Sequence, residues 1–114
     1  MKLVNESIKI SELKKMSENM YGDLVKAVVD IKQGIMVVDA PMHADQEKFL
    51  LEKGSNQENL WGINLYPEFY GESDFLEYDS MINLRPNQNN LTRGVDDEQV
   101  REQIKEVVDK LVKG

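Results

Sequence analysis

Two short strings carry most of the chemistry this chain can offer. The pentapeptide Ile-Asn-Leu-Xaa-Pro occurs at Ile63–Pro67 and again at Ile82–Pro86. In each copy apolar and polar residues alternate up to a proline. Period-2 alternation places Ile and Leu on one face of a strand and Asn on the other, and proline then ends the ladder because it has no amide proton. Asn64, Tyr66, Asp79, Asn83 and Arg85 are thereby expected on one polar sheet face, together with Gly62, Glu77 and Met81. Asparagine presents donor and acceptor together, and the arginine fork fits a carboxylate or phosphate. Such a platform would hold a small anionic ligand or an acidic segment of a protein partner. A plain solvent-facing sheet surface is the alternative.

The second string is His43-Ala44-Asp45-Gln46-Glu47, which contains the only histidine. Spacing of i, i+4 puts Glu47 on the helix face of His43, with Asp45 a fraction of a turn away. A histidine with a carboxylate partner is the arrangement of a general base. The same residues at a helix start also have an ordinary use, since carboxylates are stabilising there. With one histidine and no cysteine a complete zinc site is not expected. No Walker-type or dinucleotide glycine pattern is present, and neither Ser55 nor Ser80 sits in a G-x-S-x-G elbow. No cofactor is therefore expected.

These residues need elements to position them. Ser11 is placed to cap a helix over about residues 12–21, after a short extended piece at Ile8–Ile10. Leu24–Ile31 and Ile35–Asp39, rich in β-branched residues, read as a central hairpin closed by Lys32-Gln33-Gly34. A helix follows from about Pro41 to Lys53. A second hairpin spans Leu60–Tyr66 and Phe75–Arg85. In the last helix Val100, Ile104, Val107, Val108, Leu111 and Val112 repeat at helical spacing, with Asp96 as N-cap and Gln99 completing a capping box. The loop Asn87–Asn90 reads as a polar linker.

The order hairpin-helix-hairpin-helix predicts an α+β fold. It is expected as a two-layer sandwich, with helices on one face of an antiparallel or mixed sheet of about four strands. One domain of 114 residues is expected, with a peripheral strand and helix over residues 1–22 and a core over 24–112.

Composition narrows the function classes. The net charge is -7, and residues 39–79 carry ten acidic side chains against Lys48 and Lys53. An acidic middle repels phosphate, so nucleic acid is not an expected partner. It suits a basic partner or a cation, or simply solubility. No apolar run reaches the ~18 residues of a membrane span, and none at the amino terminus has the form of a signal peptide. A cytoplasmic address is expected.

His43-Ala44-Asp45, Gly54-Ser55, Leu60–Asn64 and Asp79–Pro86, in this order, resemble a small prokaryotic family labelled only as a domain of unknown function. The resemblance covers roughly residues 24–112. It implies a compact stand-alone protein and brings no activity or catalytic residue. The leading expectation is a small binding or interaction module without a catalytic role. The alternative is a metal-assisted or general-base hydrolase using His43 with Asp45 or Glu47, and Arg85 as anion clamp.

Overall fold

The computed structural model describes all residues, 1–114. A five-stranded antiparallel sheet is built from β1 (Lys2–Val4), β3 (Val25–Asp30), β4 (Ile35–Val38), β5 (Leu60–Leu65) and β6 (Leu76–Glu77), in the spatial order β1-β4-β3-β5-β6. Three helices pack on it: α1 (Ile10–Asn19), α2 (His43–Glu52) and α3 (Glu98–Leu111). A separate pair of two-residue strands, β2 (Ile8–Lys9) and β7 (Val112–Lys113), runs parallel and ties the end of α3 to the start of α1. The chain is α+β, as its pattern predicts. No helix is long and apolar enough to cross a membrane.

The layering departs from the expected sandwich. Helices cover both faces of the sheet, because the central strands are apolar on both sides. Val25, Ala27 and Val29 of β3 join Trp61, Ile63 and Leu65 of β5 in the main core, under Leu13 of α1 and Ile104, Val107, Val108 and Leu111 of α3. Val28, Val37 and Leu60 face the other way and pack on Leu50 of α2. Three layers result. The hairpin β3–β4 forms as expected, with Gly34 at φ 70° closing its turn, a conformation that suits glycine.

The second hairpin is mostly absent. Only Asn64↔Glu77 and Leu65↔Leu76 pair between β5 and β6. The second Ile-Asn-Leu-Xaa-Pro copy folds into two short 3-10 turns, Met81–Asn83 and Pro86–Gln88. Side-chain competition explains this. Ser80 Oγ accepts from Ile82 N, and the backbone amide of Asn83 bonds Ser80 O, so local turn bonds replace the ladder. Alternation then fails: Leu84 is exposed, and Ile82 packs on the α2 side.

Two helix starts also shift. α1 begins at Ile10 without a side-chain cap from Ser11. Asp97, one residue later than expected, caps α3 by accepting from Gln99 N. Asp96 is engaged elsewhere, accepting from Leu91 N and Thr92 Oγ1.

Candidate functional site

The residues expected on one polar face are strung along β5 rather than gathered at one point. Asn83 lies against the middle of the strand. Its Oδ1 accepts from Gly62 N at 2.8 Å and its Nδ2 donates to Gly62 O at 2.9 Å, so the side-chain amide stands where a neighbouring strand would be. Gly62 is required for this approach, since a Cβ there would lie 2.5 Å from Ser80 Cβ. Asn90, in the expected linker loop, is also buried. It donates to the carbonyls of Asn83, Thr92 and Gly94 and accepts from Asp96 N.

Arg85 sits at the start of β5. Its guanidinium donates to Gln57 O and, at 2.6 Å, to Leu60 O, and it stacks 4.1 Å from the centre of the Trp61 ring. Burial holds its pKa below the ordinary arginine value, with Glu47 opposing that shift. The fork expected to clamp an anion is thus turned inward onto backbone carbonyls.

Asn64 lies four residues further along β5, roughly 13 Å from Leu60 at strand rise. Its Nδ2 donates to Glu77 Oε1 at 2.9 Å, and Tyr66 OH donates to the same oxygen at 3.0 Å. Burial first, then the bond to Glu77, pushes the Tyr66 pKa up to about 12. Asp79 receives a long bond from Asn64 at its carbonyl and pairs through Oδ1 with Arg93 Nε at 2.9 Å.

His43 reaches this same end of the strand. Its Nε2 lies 2.7 Å from Ile63 O, so the tautomer protonated at Nε2 donates to the residue preceding Asn64. Burial lowers its pKa, the Ile63 carbonyl opposes this, and the nearby Lys26 cation adds to it. Asp79 is the carboxylate His43 senses. Asp45 points elsewhere, lining a shallow depression with Met1, Asp39 and Lys48. Glu47 acts on Arg85. The structure therefore joins the His43 string to the Asn64 face, and the His43 side chain bonds Ile63 O rather than either expected carboxylate partner. No group of three or more His, Cys, Asp and Glu side chains is assembled that could hold a metal ion.

The largest of the defined concavities lies elsewhere, between α3 and the segment 70–78. It is a cleft of about 630 Å³. Tyr70, Phe75, Leu76 and Tyr78 form one wall, and Val108 and Val112 the other, with Lys105 and Asp109 also lining it. Tyr70 and Phe75 pack edge to face at 5.3 Å, and Tyr70 OH reaches Val112 O across the end of α3. Tyr78 OH donates to Arg101 O, and burial raises its pKa. Lys105 pairs with Asp109 at 2.6 Å, and that bond raises the lysine pKa. Sequence periodicity misses this cleft, because the segment carrying the rings holds only short 3-10 turns and the two-residue strand β6. Its one sequence signal is composition: Tyr66, Phe69, Tyr70, Phe75 and Tyr78 are five of the eight aromatic residues.

Residues 2–111 match a family described as a protein of unknown function, DUF5674. No curated protein matches the chain. No solved structure matches it either.

Proposed function

The chain belongs to this family of unknown function, DUF5674, and from that premise we propose that it is a small ligand-binding module without a catalytic role. The observation that carries this reading is the cleft of about 630 Å³ between α3 and residues 70–78. Its volume falls in the ~300–1,000 Å³ range of small-molecule sites, and apolar walls with a few polar groups are their usual lining. The ligand is a small amphipathic molecule. Its ring or branched aliphatic body packs between Tyr70, Leu76 and Val108. Its polar head meets the exposed Lys105–Asp109 pair.

The hydrolase alternative has less behind it. His43 is buried with Nε2 committed to a backbone carbonyl, and Arg85 is committed to two more. A general base must reach the proton it removes. Neither residue lines one of the larger clefts.

Anilinonaphthalene sulfonate, an aromatic body with an anionic head, tests this proposal. The native protein, with near-ultraviolet dichroism intact, should bind one dye saturably. Tyr70→Ala and Lys105→Met should each weaken the binding several-fold while leaving the fold in place. Dye binding that is absent, or indifferent to both substitutions, would overturn the reading.

A further inference from the structure

A smaller concavity, of about 290 Å³, is bordered by four side chains: Tyr66, Phe69, Asp74 and Glu77. Two are aromatic and two are carboxylates, and no lysine or arginine lines the space. It shares no residue with the cleft beside α3. Phe69 is 41% exposed, Tyr66 is half-buried and both acids are exposed, so every wall is open to a guest.

The backbone holds these residues in place. Tyr66 N donates to Phe75 O at 2.8 Å, which closes residues 66–75 into a compact loop. Within it Phe69 N donates to Tyr66 O at 2.9 Å, so the two aromatic residues flank one tight turn that starts at Pro67. Glu77 stands on β6 opposite Asn64. Its Oε1 accepts from both Asn64 Nδ2 and Tyr66 OH, which fixes carboxylate and phenol against each other.

Two separate properties select the guest. The first is the field. Glu77, Asp23 and Asp79 all act on Tyr66 as negative charges, and Asp74 adds a further carboxylate at the wall. Carboxylates alone would mark only a solvated surface. The second property is the aromatic half of the lining. An aromatic face attracts a cation through its quadrupole, and alkylated ammonium groups are the cations such faces suit best. The charge of such a group meets the acids, and its methyl groups meet the rings.

We infer that this concavity receives a methylated ammonium group, as the head of a small free molecule or the end of a methylated lysine side chain. Tyr66 and Phe69 contact its methyl groups, while Asp74 and Glu77 face its charge. This recognition is independent of the amphipathic ligand proposed for the larger cleft.

Choline and Nα-acetyl-trimethyllysinamide present the group on a free molecule and on a polypeptide-like stem. Each is titrated into the uniformly labelled protein at constant ionic strength. The control is the neutral dimethylbutanol in which carbon replaces the choline nitrogen. Both cations should move the resonances of Tyr66 and Phe69 saturably, and the tighter of the two names the source. The neutral isostere should bind at least threefold more weakly than either. Phe69→Ala and Asp74→Asn should each weaken both cations by about two- to fivefold, the range for exposed cation–π contacts and ion pairs. Neither side chain is buried, so the amide spectrum away from the loop should stay as it is. No saturable shift at Tyr66 and Phe69 with either cation would overturn the inference. So would equal binding of the neutral isostere, or an unchanged affinity in the double variant.

Discussion

The side chain of Asn83 bonds both backbone groups of Gly62, accepting from N at 2.8 Å and donating to O at 2.9 Å, twenty-one residues away in sequence. One asparagine thereby replaces a strand beside the middle of β5. A third bond, from Nδ2 to Arg93 O at 3.0 Å, ties the 80–93 segment to the same point. Leaving buried backbone groups unpaired costs about 1–3 kcal/mol each, so Asn83→Ala should destabilise the protein by roughly 2–5 kcal/mol. Urea unfolding measures it. A loss under about 1 kcal/mol would mean that water or a shifted segment satisfies Gly62 in its place.

Arg85→Lys should be costly for stability, contrary to what a ligand-clamping role would give. Lysine keeps the charge and loses the planar fork that reaches Gln57 O and Leu60 O while stacking on Trp61. The expected loss is about 1–3 kcal/mol, accompanied by a change in tryptophan emission. Unchanged stability with unchanged emission would show that the stacked fork contributes nothing to the fold.

His43 makes stability depend on pH in a definite direction. Its folded pKa is held below 6.5, chiefly by burial and further by Lys26. Above 6.5 both folded and unfolded chains carry neutral imidazole, and the contribution is fully present. As pH falls below 6.5, the unfolded chain takes up the proton first, and stability is lost until the folded pKa is passed. The difference in unfolding free energy between the native protein and His43→Gln should therefore move against the native protein between about pH 7.5 and pH 5. Unfolding curves at both pH values check it, and a difference that stays constant would contradict the burial of a neutral His43.

What the sequence conveys and what it hides divide along a physical line. α3 and the β3–β4 hairpin are legible because their signals are local. Val100, Ile104, Val107 and Leu111 recur at helical spacing, and β-branched residues fill both strands of the hairpin. The second Ile-Asn-Leu-Xaa-Pro copy carries the same local pattern and forms no strand, because Ser80 and Asn83 side chains take over the bonds a ladder would make. Periodicity counts apolar faces and cannot see that competition. The meeting of His43 with Ile63 O is equally invisible, since it depends on α2 covering a sheet face expected to lie bare. The Tyr70–Phe75–Tyr78 wall lies in a segment without a repeat, so only its aromatic density hints at a cleft.

The direct measurement of the central claim is an NMR titration of the uniformly labelled protein with small amphipathic fragments, such as hexanoate and indole acetate. Ligand binding in the cleft between α3 and residues 70–78 predicts saturable shifts centred on Tyr70, Leu76, Tyr78, Val108 and Val112. His43, Asn64 and Asp79 should stay unmoved. Shifts centred on those three residues, or no saturable shift with any fragment, would contradict the account.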